Sequence, residues 1–432
     1  MKSFRYHLPS ILLWLVVFYF LSERSIFRYQ NMGAGVDIGL FENLFYNLIH
    51  NAKAVTTLGV SGNLHHYFSD HINLYIYPLS LLYKFFPFVE SLLIFQAFVL
   101  SSPILIFPFY KKNDFYQWIF PLLYGLYLPI YWIQIFDFHP EVLWIPLFFL
   151  FYHFWKQNSV WWILFFTFSL FVKEECALVW IVFAFLEYKF RKKESILIGI
   201  ISLVYFFLCI LLLGELQNSG SEIPLPAHLE RYQNPIAALN NLHLFPYLLL
   251  FLNLPFLFFQ FRNKLILCLV PYFLYSLFSS YEVNKTPFTH HSFVAIPIII
   301  LSFTESIENL HPKNSRLFLY LSVFVSICLF IFWGPPSKSY SFRKDFMNPG
   351  VSQEDVKTLR TLFEGKSIVS NVPQYLANRT SVYLFLPNHD DYADYLIFYQ
   401  FPLITQIPPI PKQYQWEQTI ENHIQIYKLK EN

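Results

Sequence analysis

Apolar stretches as long as a bilayer is thick recur along this chain, and they restrict its fold more than any other feature. Glu90 to Tyr110, Ser195 to Leu213 and Leu317 to Trp333 are examples. Hydrocarbon offers the backbone no hydrogen-bond partner, so each such run must satisfy its own peptide groups as a helix of about 20 residues. Charged residues make up only 13% of the chain, where a soluble domain carries roughly 25%. The expected fold class is mainly α, a polytopic integral membrane protein. A net charge of +2 offers no basic field for nucleic acid. Cys176, Cys209, Cys268 and Cys328 stand singly in or beside apolar runs; they read as small core hydrophobes without metal spacing.

The N-terminus carries Lys2 and Arg5 before an apolar run from Leu8 to Leu21. No small-residue cleavage site follows, so the run reads as an uncleaved first membrane helix. Further spans are expected at Tyr116–Phe136, Val142–Trp155, Leu242–Phe261, Leu265–Ser280 and His290–Phe303. Ile72 to Phe86 is broken by Pro78 and Lys84. At about 15 residues it is short for a span and reads as an interfacial helix over 72–87. Val160 to Leu186 is interrupted by Lys173-Glu174-Glu175, either as one long helix with buried charge or as two short arms meeting at a charged tip.

Loop charges decide between those two. With Lys2 and Arg5 in the cytoplasm and two arms at Val160–Leu186, the basic residues Lys111, Lys112, Lys156, Lys189–Lys193, Arg262, Lys264, Lys313 and Arg316 all fall inside. One long helix would turn Lys189–Lys193 outward. The two-arm topology has about 11 spans and obeys the positive-inside rule. It describes an inner-membrane protein with a cytoplasmic N-terminus, and it gathers Asp37, His65, His66, Asp70, His71, His139, Glu141 and Lys173–Glu175 on one outer face.

Gly334-Pro335-Pro336 ends the last span, and residues 334–432 are polar and mixed. A helix is expected from Ser352, with Val356, Leu359, Leu362 and Phe363 on one face and a stop at Gly365. Strand-like runs follow at Ser367–Ser370, Ser381–Leu386, Tyr395–Tyr399 and His423–Lys428. Two units result. A transmembrane domain over 1–333 carries a large first outer loop at 22–71, and a small extracytoplasmic α/β domain over 334–432 covers the outer mouth.

The first outer loop keeps the densest chemistry. Asp37 follows Gly33 and Gly35 and opens an amphipathic run from Ile38 to Ile49. A carboxylate there can take a proton from a hydroxyl as general base, or it can simply cap the helix. His65, His66, Asp70 and His71 suggest a phosphate site, a proton shuttle, metal ligands or an interfacial polar collar. Phe138-His139-Pro140-Glu141 meets water at a span end, where a proline at a helix start is ordinary but the flanking His and Glu are not required. Lys173-Glu174-Glu175 is the sharpest signal, because ionisable residues inside an apolar stretch are costly and usually line a cavity or a substrate path. Its ordinary alternative is a self-neutralising cap. His290-His291, near Lys285, opens another span on the same face. There is no P-loop, GxGxxG, HExxH or nucleophile-elbow serine, so ATP-driven and hydrolase chemistry loses its usual support.

These landmarks occur in order. Asp37-x-Gly39-x-Phe41, the His-rich segment before Ile72, Phe138-His139-Pro140-Glu141, Lys173-Glu174, His291 with Ile296-Pro297, and Leu376-Ala377-Asn378-Arg379 before Val382-Tyr383 resemble an uncharacterised family of prokaryotic multipass membrane proteins, catalogued as a domain of unknown function. That family in turn looks like the GT-C superfamily of membrane glycosyltransferases, which use sugars linked to polyprenyl phosphate or pyrophosphate. The resemblance implies Asp37 as the catalytic-loop acid and 72–87 as an interfacial helix of that loop. Asp37 is followed by Ile38, where many GT-C enzymes have paired acids, and this weakens the metal-binding reading. The resemblance fixes no cofactor, and a divalent ion is left open.

The expectation is an inverting glycosyltransferase on the outer face of the cytoplasmic membrane. Asp37, Lys173 and Glu174 are its catalytic candidates, while His65, His66, Asp70, His71, His139, Glu141 and His291 are its substrate contacts. A polyprenyl-phosphate sugar is the donor, and the acceptor is a glycan, lipid or protein. The alternative is a non-enzymatic transporter or flippase for a lipid-linked or small polar substrate.

Overall fold

The computed structural model describes residues 2–58, 64–110, 114–217, 232, 239, 241–338, 342, 347, 353–363, 365–385, 393–400, 410–420 and 423–430. Lys111, Lys112, Ser352 and Leu386 lie outside them. The chain begins with α1 (Lys2–Gln30), α2 (Val36–Asn51), the antiparallel pair β1 (Val55–Thr56) and β2 (His65–His66), and α3 (Ile76–Phe85). Next come α4 (Val89–Ser101), α5 (Pro103–Tyr110), α6 (Asp114–Gly125), α7 (Leu128–Phe136) and α8 (Trp144–Lys156). The bundle is completed by α9 (Trp162–Leu170), α10 (Cys176–Glu187), α11 (Lys192–Gln217), α12 (Phe245–Asn253), α13 (Val270–Phe278), α14 (Ala295–Glu308) and α15 (Pro312–Trp333). Helix α16 (Gln353–Thr361) leads into β3 (Ile368–Ser370), β4 (Val382–Leu384), β5 (Tyr395–Tyr399), β6 (Tyr414–Ile420) and β7 (Ile424–Leu429).

Among the described residues, five helical stretches are long and apolar enough to cross a bilayer: Leu8–Gln30, Val89–Pro108, Lys192–Leu216, Glu282–Glu308 and Pro312–Ser337. The pair Tyr116–Gly125 and Leu128–Phe136, bent by 40°, makes a sixth, with Pro129 removing a backbone donor at the bend. Two runs expected as single spans are interrupted. Leu242–Phe261 breaks after Asn253, where Pro255 sits in a 3-10 turn and Leu257 and Phe258 take positive φ of 53° and 58°. Leu265–Ser280 begins as a 3-10 turn, Lys264–Leu269, and becomes α-helical at Val270-Pro271. Helices α11 and α15 leave Leu203, Phe207, Leu211, Leu317 and Phe324 exposed, faces that suit lipid. Helix α3 does the same with Tyr77, Leu81 and Phe85, one turn apart on one side.

The interrupted run Val160–Leu186 forms two short helices, α9 and α10, that fold back along each other. Phe166 packs on Trp180 with ring centroids 5.4 Å apart, and Trp180 Nε1 donates to Ser169 Oγ at 2.9 Å. Trp155 at the end of α8 touches both Trp162 at the start of α9 and Phe183 near the end of α10, each at 5.3 Å. Lys173–Glu175 therefore forms a tip at one end of the bundle. The other end holds basic residues: Lys156 pairs with Glu305 at 3.1 Å, Lys264 with Glu187 at 2.7 Å, and Arg191 lies 3.9 Å over Trp155. Between the two ends stands a column of Trp144, Phe148, Phe151, Trp180 and Phe183. Trp180 is fully buried at its centre, so Trp180→Ala is expected to cost about 3–5 kcal/mol, read as a lowered unfolding midpoint of the purified protein.

The C-terminal sheet has the order β4-β3-β5-β7-β6, parallel where β3 meets β4 and β5 and antiparallel elsewhere. Helix α16 starts at Gln353 and buries Val356 and Leu359, and Gly365 with φ 76° lies just beyond it. Apolar residues of α2 (Ile38, Phe41, Leu44) join Val356, Leu359, Ile368, Val372, Tyr375 and Val382 in one core. The first loop and the C-terminal unit are packed as a single body.

Candidate functional site

Helix α2 begins after Gly35, whose extended backbone receives no side-chain cap. Asp37 thus lies in the first turn without serving as the cap, where a carboxylate is favoured by the helix dipole. Its side chain is 44% exposed, and Oδ2 stands 3.5 Å from Nε2 of His139, which is 5% exposed. The imidazole is held from several sides. The His139 backbone N–H donates to Gln96 Oε1 at 2.6 Å, and Gln96 Nε2 donates to the Asp137 carbonyl at 2.8 Å. His290 stacks on the ring at 3.6 Å, and Phe41 and Phe136 flank it. Burial opposes protonation of His139, but the hydrogen bond and charge of Asp37, with Glu141 and Asp137, outweigh it and raise its pKa.

Asp137 is the support beneath this pair. Arg28 Nη1 reaches its Oδ1 at 3.1 Å and also donates to the carbonyls of Ile135 and Phe136. The Gly35 N–H donates to the same Oδ1 at 3.1 Å. A Cβ on Gly35 would stand 2.5 Å from Asp137 Oδ2, so a side chain there would displace the carboxylate. Burial raises the Asp137 pKa from 3.8 to about 6 against the charge of Arg28, with Asp37 adding to the rise. Between those values the folded chain keeps a proton that the unfolded chain has released. This group's contribution to stability therefore falls as pH rises through the window from about 4 to 6. Asp137→Asn keeps an oxygen for the Gly35 N–H and is expected to flatten that slope. Unfolding midpoints of both proteins across the window check it, and parallel curves would remove the assignment.

The tip supplies the facing wall. Glu174 accepts the Ile72 N–H at 3.0 Å and pairs with His71 Nδ1 at 3.0 Å. Lys173, 2% exposed, lies 3.7 Å from Glu175 and 6.0 Å from the Phe293 ring centroid. Glu175 in turn accepts a hydrogen bond from Tyr275 Oη at 3.3 Å. Glu141 is buried, and its Oε2 has no hydrogen-bond partner among the described residues. It shares the electrostatic surroundings of Tyr67 and Cys176 with Glu174. His290 lies within electrostatic reach of His139, His291, Lys173 and His71, and its ring centroid is 4.1 Å from that of His291.

Residues far apart in the chain thus converge: Asp37, His71, His139, Glu141, Lys173, Glu174 and His291. His65 and His66 are engaged elsewhere, while Asp70 lies with Glu141 and Glu174 in the electrostatic surroundings of Tyr67. His65 and His66 form β2 against Val55 and Thr56. His66 Nδ1 accepts the Phe68 N–H at 3.2 Å and so caps the turn Tyr67–Ser69, which Asp70 ends. Partial burial and the neighbouring His65 lower the His66 pKa, as suits an acceptor. Among the described residues no three His, Cys, Asp or Glu side chains form a metal-ligand group. Sequence reasoning did not assign roles to Arg28, Gln96 and Asp137. The signal of Arg28 and Asp137 is polarity at the ends of apolar runs, and that of Gln96 is an amide inside one.

A family model described as a predicted membrane protein (DUF2079) matches residues 28–385. The chain belongs to this family. The match starts at Arg28 and takes in all the converging residues, together with α16, β3 and β4. No curated protein and no solved structure matches.

Proposed function

We propose that the protein is an inverting membrane glycosyltransferase that takes a sugar from a polyprenyl-phosphate donor, with Asp37 as general base. The observation that carries this is the Asp37–His139 pair, in which the carboxylate is the exposed partner and the imidazole the buried one. A substrate hydroxyl arriving at the open side meets Asp37 first. Asp37 takes the hydroxyl proton as the oxygen bonds to the anomeric carbon, and the bond from that carbon to the phosphate oxygen breaks. Lys173 meets the charge that develops on the leaving phosphate, where reduced dielectric strengthens its help. His139 orients Asp37 and balances its charge.

The membrane setting follows from charge. The end holding Lys156, Arg191 and Lys264 is cytoplasmic by the positive-inside rule, so Asp37 and the C-terminal unit face outward and the N-terminus lies inside. Counting the short apolar helices Cys176–Glu187, Leu242–Phe256 and Lys264–Phe278 with the six longer spans gives nine, and α8 and α9 complete the expected topology of about 11 spans. Helix α3, with its apolar outer face, lies along the lipid surface beside the site.

Cells without the protein, complemented by wild type or Asp37→Asn, provide the test. Extracted lipid-linked sugars should accumulate, and one glycan modification should vanish, in the null and Asp37→Asn strains alike. Unchanged glycans with altered movement of a solute would sink the reading in favour of transport.

A further inference from the structure

Helix α2 is held between two walls. By helical periodicity Asp37 and Phe41 lie on one side, and Gly39, Glu42 and Asn43 on the other. The first side meets the bundle: Phe41 packs on Phe138, with ring centroids 5.3 Å apart, and Asp37 meets His139. The second side meets the C-terminal unit. Gln374 Cα lies 2.5 Å from where a Gly39 Cβ would be, so the two backbones approach closely only because residue 39 has no side chain. Asn43 Nδ2 donates to the Arg379 carbonyl at 2.7 Å, and Glu42 is paired with Arg360 at 2.5 Å.

One contact sits directly behind the catalytic turn. The Ala34 N–H donates to Tyr375 Oη at 3.0 Å, and Gln374 Nε2 donates to the Ala34 carbonyl at 3.0 Å. Both polar groups of Ala34 are therefore taken by neighbouring residues of the turn Pro373–Tyr375. The next N–H, on Gly35, is taken by Asp137 from the bundle side. Three successive backbone groups, on two residues, are fixed from opposite sides just before Asp37.

We propose that the C-terminal unit is a positioning part of the site: Gln374 and Tyr375 clamp Ala34 and thereby fix where the Asp37 carboxylate stands against His139. The proposal rests on the reading of Asp37 as the base. The clamp touches no substrate. It holds the start of α2 against sliding or rolling, movements that would separate Asp37 from His139 without unfolding anything. The family match stops at Phe385, after the clamp, Arg379 and β4 but before β5, β6 and β7, so the matched part of the C-terminal unit includes the clamp and the partners of Gly39, Glu42 and Asn43.

Tyr375→Phe and Gln374→Ala, in the full chain reconstituted in lipid nanodiscs, test this by two readouts. Hydrogen exchange should speed up about 5–10-fold over residues 33–38, the loss expected for one hydrogen bond, with β5 unchanged and the unfolding midpoint lowered by no more than about 2–4 °C. In the transfer assay kcat should fall about 10-fold at saturating donor while the donor KM stays within twofold, because the Lys173 wall is untouched. Unchanged or uniformly raised exchange overturns the clamp. Local loosening with wild-type kcat, in an assay where Asp37→Asn is dead, overturns its positioning role. A fully active Asp37→Asn overturns the base reading and with it the catalytic half of this proposal, whatever the exchange data show.

Discussion

Asp37→Asn is expected to lower transfer by about 10²–10⁴-fold, the usual contribution of a positioned general base, in a protein that inserts and melts like wild type. The two halves of that expectation come from different observations. Stability changes little because the side chain is 44% exposed and caps no helix; an amide of the same shape leaves packing untouched and forfeits only the modest attraction to the helix dipole and to His139. On the proposed reading of Asp37 as the base, activity is lost because an amide cannot accept the hydroxyl proton. The amide oxygen can still accept a hydrogen bond from His139, so the imidazole keeps its place and the defect is confined to proton transfer. His139→Gln should cost less than Asp37→Asn, since it removes an orienting partner and leaves the base. If the order were reversed, His139 would be the proton acceptor and Asp37 its support. Both variants are compared as kcat in the same membranes, with insertion checked by detergent extraction and unfolding midpoint.

The parts of this fold legible in the sequence were those set by local composition. Lys173-Glu174-Glu175 inside an apolar run forced a choice that loop charge could make, and α9 and α10 do fold back along each other. Gly35 and Asp37 announced a turn before a helix. Where prolines interrupt an apolar run, hydropathy alone misleads: Leu242–Phe261 has the composition of one span, yet Pro255 ends its helix early. Strand β6 alternates only over Tyr414–Glu417 before a register shift between Trp416 and Gln418, and it lies on the exposed edge of the sheet, so its pattern is too short to mark it. The histidine-dense segment after residue 64 looked like one cluster because its members are close in sequence. The fold divides it: His66 uses its imidazole to cap a turn, while His71 reaches Glu174. The supports of Asp37 were illegible for the opposite reason. Arg28 and Asp137 are 109 residues apart, and Glu42 and Arg360 are 318 apart, and a single sequence holds no record of such partnerships.

A stability effect as large as that of Trp180→Ala is expected at the last of these pairs. Glu42 is fully buried and accepts three hydrogen-bond donors: Arg360 Nη2 at 2.5 Å and Tyr83 Oη at 2.7 Å on Oε1, and Arg360 Nη1 at 3.0 Å on Oε2. Arg360 also donates to Tyr29 Oη at 2.7 Å. The guanidinium is therefore a bolt joining α16 to α1, α2 and, through Glu42, α3. Burial works against its charge, but Glu42 and the tyrosines outweigh it and raise its pKa further, so Arg360 stays charged at every accessible pH. Arg360→Ala leaves a carboxylate in the core with one neutral donor, and removing one partner of such a pair costs about 3–5 kcal/mol. The double variant Glu42→Met/Arg360→Met removes both charges and should regain much of that loss, because apolar replacements of a buried pair are often close to neutral. A double variant as unstable as Arg360→Ala would mean that the cost lies in lost packing of α16, not in an uncompensated charge. Unfolding midpoints of the single and double variants, read at one fixed scan rate, separate the two causes. If the charge is the cause, the double variant also shows what the pair is for: an apolar bolt can hold α16 in place, but it gives α2 no directional bonds to set its roll, so stability would return before activity does.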